Sequence, residues 1–352
     1  MKGVNMFKFD LQMFATPLTE LFSQQSVLDY TRKRDFPELL GDTLFPAKRV
    51  QSLTVDMLLE GDRTPVIADY ASFDTEAEIG DREAQKATAE LSYIKRKTQI
   101  KEADLIALAN PRSDAEQNYV VSQIYNDLAN LVQSVRARGE EMTMQMLATG
   151  KIVDRKHGIS INYGVPSAHQ KALSGGNTWD GADADILTNL QDWSDSLSIA
   201  PTRALTSKKI LRTIMRNKKV IAAVYGDNNT GRVLGQADFD AFMIQQGLPV
   251  IRAYDGTYRE KVSKGKYNVK RYFPENSIVL MNDDLLGEKL YGPTPDESHL
   301  IASGAKISQD NQVFTKIYES TQDPVGTWEM ASATFLPSFA AVDEVFQATV
   351  LG

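Results

Sequence analysis

Residues 113–150 read SDAEQNYVVSQIYNDLANLVQSVRARGEEMTMQMLATG, and this stretch decides the architecture. It opens on Ser113-Asp114-Ala115-Glu116, a capping box in which the serine hydroxyl and the glutamate carboxylate each satisfy a backbone N–H left open by the first helical turn. Val121, Ile124, Leu128, Leu131, Val135, Gly139, Met142 and Met146 follow at spacings of three and four, the stripe of one amphipathic helix. Gly150, just past the last apolar residue, suits the left-handed position that closes helices. The spacing predicts a single helix over 113–147, about 50 Å long at about 1.5 Å per residue, close to the diameter of a compact globule of this chain length. Gly139 sits on the stripe, where glycine costs about 1 kcal/mol relative to alanine, so a bend or a close backbone approach is expected there. The stripe is narrow and heptad-like, which leaves a coiled coil as the competing reading, although no similar run exists elsewhere in the chain.

On the N-terminal side, Val50 to Leu59 alternates apolar positions (Leu53, Val55, Met57, Leu59) and reads as a strand, as does Leu91 to Ile100. Between them, Asp56 to Lys86 holds nine acidic residues against three basic ones. A connection this long and this polar is unusual inside a compact domain. It reads either as a solvated loop or as a projecting hairpin arm that lies on a partner. Before it, the segment to about Arg49 carries Phe7, Phe9, Leu11 and Phe14 with Pro17, Pro37 and Pro46. It cannot form one long helix, and its rings pack on their own domain or on a neighbouring subunit.

On the C-terminal side, Ile152 to Tyr163 reads as a hairpin around Lys156-His157-Gly158, with His157 as a turn residue. Ser174-Gly175-Gly176-Asn177 is a flexible break near which a new domain is expected to begin. Helices are expected over Ala184–Ser198, with Asp183 as its cap, over Ser207–Asn217, and over Gln236–Gln246, which stops at Gly247. Extended segments cover Val250–Tyr254, Tyr267–Tyr272 and Ser277–Met281. This middle part is α/β or α+β. The β-like terminal segment Gly326–Leu351 is expected to return beside the long helix.

The 352 residues, 42% of them hydrophobic, support a sizeable core and, at about 150 residues per domain, two or three units. The formal charge of −7 argues against a protein that coats DNA by neutralising phosphates. There is no cysteine, and His157, His169 and His299 lie far apart, so disulfides, thiol nucleophiles and histidine metal sites are not expected. Lys2, Lys8 and Asp10 interrupt the first fifteen residues, unlike the apolar core of a secretory signal. No stretch approaches the roughly 18 apolar residues of a membrane span. A cytosolic protein is therefore expected.

The loop Gly226–Val233 has glycines at phosphate-loop spacing but lacks the lysine and hydroxyl that hold phosphate and magnesium. Asp180, Asp183 and Asp185 lack the glycine and final glutamate of a calcium loop. With no nucleophile motif either, no catalytic, cofactor-binding or metal-binding residue is assigned, and the chain is not expected to be an enzyme. Charge segregation is the more informative feature. Opposite the acidic excursion stand Lys208, Lys209, Arg212, Arg216, Lys218 and Lys219, with no acid among them, and Arg259–Arg271 with Lys261, Lys264, Lys266 and Lys270. Such faces are commonly just solvated, but in an assembly of many copies complementary patches set register and partner choice.

The chain carries, in this order, Arg138-Gly139-Glu140-Glu141-Met142 with Thr149-Gly150-Lys151, Leu173 through Trp179, Tyr254-Asp255-Gly256-Thr257-Tyr258, Phe273-Pro274-Glu275-Asn276 and Thr321-Gln322-Asp323-Pro324. Together these short stretches resemble the lambda-type major capsid proteins, the major capsid protein E family. The resemblance implies an α+β, HK97-like capsid fold. Carried onto this chain it implies an N-terminal arm over 1–49 and an extended E-loop over 50–100. A peripheral domain would comprise 101–165 and 322–352, with the spine helix at 113–147, and an axial domain 166–321. It implies a non-enzymatic head protein of a tailed double-stranded DNA phage that self-associates into pentamers and hexamers. A tail tube or connector protein is the alternative, and a soluble enzyme with an acidic lid a more distant one.

Expected partners are sister copies, a scaffolding protein, the portal and packaged double-stranded DNA held by weak non-specific proximity, with room for a decoration protein and no membrane. No cofactor is expected. The expected location is the virion capsid, after assembly in the host cytoplasm. On this reading Glu60, Asp62, Arg63, Asp74, Glu76, Glu78, Asp81 and Arg82 are inter-subunit candidates in the E-loop. Lys208, Lys209, Arg212, Arg216, Lys261 and Lys264 are the basic interface candidates of the axial domain.

Overall fold

A computed structural model describes residues 22–59, 85–181, 184–263, 265–302, 312–320 and 326–352. Its helices are α1 (Gln24–Lys33), α2 (Leu40–Leu44), α3 (Glu102–Ala109), α4 (Asp114–Thr149), α5 (Ile186–Asp195), α6 (Lys208–Arg216), α7 (Lys218–Tyr225), α8 (Gln236–Gln245) and α9 (Pro295–Ala302). The early strands are β1 (Ala47–Arg49), β2 (Thr54–Leu59), β3 (Gln85–Glu90), β4 (Ser92–Gln99), β5 (Lys151–Asp154), β6 (Ile159–Asn162), β7 (Gln170–Ala172) and β8 (Arg203–Thr206). The later ones are β9 (Val250–Ala253), β10 (Thr257–Ser263), β11 (Lys266–Arg271), β12 (Ser277–Met281), β13 (Lys289–Gly292), β14 (Phe314–Ser320), β15 (Gly326–Pro337) and β16 (Phe346–Thr349).

Helix α4 is the expected long helix, unbroken over 36 residues. The Ser113 hydroxyl accepts from the Glu116 N–H at 3.3 Å, as a capping serine should. The other half of the box differs: the Glu116 carboxylate reaches one residue further and accepts from the Arg112 N–H at 2.8 Å. Ile124, Leu128, Leu131, Val135, Met142 and Met146 are buried, and Val121 is half-buried. From Glu140 to Ala148 burial extends nearly all round the helix, wider than a coiled-coil seam. Gly139 faces the Phe335 ring, but a Cβ there would lie 3.5 Å from it, an ordinary van der Waals contact, so space does not require glycine at this position.

Gly150 ends the helix at φ 66°, its N–H bonded to the Met146 carbonyl at 2.7 Å and its carbonyl accepting from the Tyr163 N–H at 2.9 Å. A side chain at this position would be strained, and its Cβ would fall 2.8 Å from a Val165 methyl. Gly150→Ala is expected to lower stability by about 1–2 kcal/mol, read as a shift of the urea midpoint at unchanged slope.

The chain forms two compact units. One comprises the described parts of Met1–Phe36, Tyr93–Arg136 and Thr294–Ala333; the other comprises Pro37–Ser92, Ala137–Pro293 and Thr334–Gly352. The first has a core of Phe22, Val27, Ile100, Leu108, Val120, Ile124 and Leu128. Its α1 is tied to β14 by the Gln24 amide, which donates to the Thr315 carbonyl at 2.7 Å. Among the described rings of the N-terminal segment, Phe22 thus packs on its own chain, as does Phe45 against Phe339. Phe7, Phe9 and Phe14 lie outside the described residues.

The second unit is built on a mixed sheet of order β7-β16-β12-β8-β9. Its core stacks Trp179 on Trp193 and Trp193 on Phe346, with centroids 5.6 and 5.1 Å apart. The expected return of the terminal strand is met: β16 pairs with β12 and β7, and the Gln347 amide donates to the Leu147 carbonyl of α4 at 2.8 Å. Strand β15 pairs with β14 through Gly326–Ser332 and with β13 through Thr334–Pro337.

The structure corrects several boundaries. The strand expected from Val50 starts at Thr54, because the Val50 N–H is held by the Tyr291 carbonyl. Leu91, bonded to the Leu53 carbonyl, separates β3 from β4. Asp185 caps α5 by accepting from the Thr188 N–H, whereas Asp183, the expected cap, lies outside the described residues. Helix α7 was not expected. It follows α6 directly because the Asn217 side chain caps its start, accepting from the N–H groups of Lys219 and Val220. The hairpin β5–β6 forms as expected, with His157 held to Asp154 at 2.8 Å as a turn residue.

Candidate assembly interface

Besides β5–β6, two hairpins pair with no other described strand. Strands β2 and β3 form one, antiparallel from Thr54↔Glu90 to Leu59↔Gln85. It is the stem of the acidic excursion. Glu60, Asp62, Arg63, Asp74, Glu76, Glu78, Asp81 and Arg82 lie outside the described residues, and so does Lys264.

The other hairpin is β10–β11. Paired residues of an antiparallel ladder share a face and successive residues alternate, so Tyr258, Lys270, Glu260 and Asn268 form one face and Arg259, Val269, Lys261 and Tyr267 the other. The first face looks onto the body. Tyr258 stacks on Tyr272 at 5.1 Å, and burial, then the nearby Glu141 carboxylate, push its hydroxyl up to about 12. On the same face Lys270 pairs with Glu260 at 2.5 Å, which holds the Glu260 carboxyl below its ordinary range. The second face is exposed, with Tyr267 at 47% and Val269 at 68% accessibility. The Arg259 guanidinium lies 5.5 Å from the Tyr267 ring centroid.

Much of the basic charge in this region meets carboxylates of its own chain. Asp255 accepts from the Lys208 N–H, lies 3.8 Å from the Lys208 ammonium and bonds Arg271. Lys209 lies 3.6 Å from Glu275, and Lys219 lies 3.9 Å from Asp185. Arg212, Arg216 and Lys261 are exposed.

A buried ionic cluster, which sequence reasoning missed, fixes the elements that carry these surfaces. Glu140 on α4 is fully buried and Lys289 on β13 is 2% exposed. The Lys289 ammonium lies 3.1 Å from Glu140 and 2.8 Å from Asp42. The Gly41 N–H donates to both Glu140 oxygens at 3.0 and 3.1 Å, and the Tyr254 hydroxyl donates to one at 3.0 Å. Burial, reinforced by the adjacent Glu140 charge, pushes the Tyr254 hydroxyl well above its ordinary range. Gly41 is required by space, since a Cβ would fall 2.3 Å from a Glu140 oxygen. The cluster joins the segment around α2, the helix α4, strand β13 and the root of the β10–β11 hairpin. Glu140 and Tyr254 each belong to a stretch quoted above for the resemblance. The ionic role was invisible because the Gly41–Glu140 and Glu140–Lys289 pairs are separated by 99 and 149 residues.

In the first unit, Glu329 of β15 is 1% exposed, and neither carboxylate oxygen has a hydrogen-bond partner among the described residues. Burial, with a smaller contribution from Asp127 on α4, pushes its carboxyl up to about 8. Among the described residues no cluster of histidines and carboxylates could hold a metal ion, and no helix is long and apolar enough to cross a membrane.

A profile described as phage major capsid protein E matches residues 23–350. The chain belongs to the phage major capsid protein E family. No curated protein matches it. Among solved structures it is similar to the assigned capsid protein of a prophage of E. coli CFT073, at 16% identity and a TM-score of 0.63, covering 93% of this chain and 98% of that one. It is also similar to a phage-related protein of Bordetella bronchiseptica RB50, at 12% identity and a TM-score of 0.52, covering 92% and 96%. The α+β fold is HK97-like. Major capsid protein E family members are structural, and membership gives this chain a role in the phage capsid.

Proposed function

We propose that this chain is the head protein of a tailed double-stranded DNA phage, assembling as pentamers and hexamers into an icosahedral shell around packaged DNA. The carrying observation is the family match, which runs through nearly the whole chain and agrees with the HK97-like fold. In this reading residues 1–49 are an N-terminal arm and 50–100 the E-loop, laid over an adjacent subunit. Residues 101–165 and 322–352 form the peripheral domain, and 166–321 the axial domain. A scaffolding protein directs assembly in the host cytoplasm, and the portal occupies one vertex. A decoration protein is compatible with the exterior. The net negative charge of −7 keeps contact with DNA weak and non-specific.

Apolar area buried at about 25 cal/mol per Å² over several contacts per subunit holds a shell without a strong single bond. Co-expression with the scaffolding protein, followed by electron microscopy, is expected to give closed shells. Tubes or rings would favour the tail-tube or connector reading instead. Deleting Glu60–Glu83 is expected to abolish shells while the purified chain keeps its helical circular dichroism and cooperative melting. Intact shells from that deletion would remove the excursion from the assembly mechanism.

A further inference from the structure

The two basic stretches, 208–219 and 257–271, are well separated in sequence, yet the fold joins them. Asp255 lies 3.8 Å from the Lys208 ammonium and also bonds Arg271. Glu275 lies 3.6 Å from both Lys209 and Arg271. The start of α6 and the foot of β11 thus share two carboxylates, and one basic tract runs from the helix onto the β10–β11 hairpin. The shared acids neutralise only the junction. On either side of it Arg212, Arg216, Arg259, Lys261 and Lys266 are exposed, and none of the five has a carboxylate within ion-pair distance among the described residues.

The elements hold these cations in place. Tyr258 stacks on Tyr272 and keeps the hairpin on the body, so Arg259 and Lys261 project outward with Val269 and Tyr267 opposite them in the ladder. Lys266 stands beside the turn at Gly265, whose φ is 77°. On α6, Ser207 caps the start and Ile210 and Ile214 anchor the inner side, which leaves Lys208, Lys209, Arg212 and Arg216 as its exposed residues. Strand β10 has 7 residues at about 3.3 Å each, and α6 has 9 residues at about 1.5 Å each. Together they give the tract a length of at most about 35 Å, the length of one turn of duplex DNA.

A protein partner needs an apolar centre that excludes water, and the exposed side of α6 has none. A phosphate backbone needs what the tract offers, exposed cations spread along a line, each able to displace a condensed counter-ion. The charge of −7 belongs to the whole chain. It makes such a contact local and easily lost in salt.

We propose that this tract, through Arg212, Arg216, Arg259, Lys261 and Lys266, binds the phosphate backbone of double-stranded DNA without reading its sequence. The charge geometry calls for a linear polyanion, and the choice of DNA rests on the capsid reading above.

The test measures binding of the purified, unassembled full chain to a fluorescent duplex of about three helical turns, by anisotropy, between about 50 and 200 mM salt. A helix variant carries Arg212→Gln and Arg216→Gln, and a hairpin variant carries Arg259→Gln, Lys261→Gln and Lys266→Gln. Wild-type affinity is expected to fall about 500-fold over that range, against about 40-fold for the helix variant and about 12-fold for the hairpin variant. All five changes together should leave almost no salt dependence. The substituted side chains are exposed, so thermal melts should match wild type. Because the two variants alter different elements, a fold lost in one leaves the other informative.

Variants with the wild-type salt dependence, or wild type that does not bind the duplex, would overturn the site and leave the capsid reading standing. Polyglutamate bound as tightly as the duplex would assign the tract to an acidic protein and overturn it too. Wild type that binds as expected yet forms no shells with the scaffolding protein would remove the capsid reading while the site stood.

Discussion

Glu140→Ala is expected to destabilise the unassembled chain by about 3–5 kcal/mol, the range for removing one partner of a buried ion pair. The mutation strands the Lys289 ammonium, which is 2% exposed, with Asp42 as its remaining carboxylate at 2.8 Å. It also deprives the Gly41 N–H and the Tyr254 hydroxyl of the acceptor that both use. Most of the loss comes from a buried ammonium left with one carboxylate instead of two and from two donors left without their acceptor, so the cost depends on which partner is removed. Glu140→Leu combined with Lys289→Met, which removes both charges and keeps apolar volume, should recover most of it. Urea titration of the three proteins measures this. A Glu140→Ala chain within about 1 kcal/mol of wild type, the level of an exposed pair, would show that the cluster is hydrated in solution.

Glu329 carries the second large effect, and it depends on pH. Its folded-state pKa is raised to about 8 from an ordinary 4.5, so the folded chain binds its proton more tightly than the unfolded chain does. The stability tied to this group is fully present below about pH 4.5. It falls as pH rises, by about 1.4 kcal/mol per pH unit, and levels off above about pH 8. The full loss is about 5 kcal/mol on that scale. Glu329→Gln keeps the shape and removes the titration, so the variant should gain on wild type steadily from pH 5 to pH 8 and no further above pH 9. Every other titrating group is common to both proteins, which isolates this one. A stability difference that stays constant over that range would mean that the carboxylate is solvated or paired when the chain is in solution.

The two sites bear on assembly differently. The Glu140 cluster fixes the root of the β10–β11 hairpin, since Tyr254, three residues before the start of β10, bonds Glu140. A loosened cluster should therefore weaken any contact made through that hairpin. Glu329 lies in the other unit, where its ionisation costs stability through burial and through the charge of Asp127 on α4.

Local sequence signals carried far for the helices and the simple hairpin. Ser113 and Gly150 mark the two ends of α4 within a residue or so, because caps and left-handed closures are made by neighbours in sequence. Ser207 caps α6 for the same reason. Where the signal was short, it failed. Helix α7 was hidden because the asparagine that starts it also ends α6. Strands β13 and β14 were missed because their stability comes from pairing with β15 rather than from an alternating pattern of their own.

By itself the sequence determined the long helix, the acidic excursion set against two basic stretches, and enough ordered short stretches to resemble a capsid family. All of these are properties of neighbouring residues or of composition, which a linear chain displays directly. Only the tertiary structure decided that Glu140 and Lys289 are buried together, that Glu329 has no partner among the described residues, and which face of β10–β11 looks outward. Solvation and pairing belong to groups brought together from distant parts of the chain, and the free energy of a charge depends on what surrounds it rather than on what precedes it.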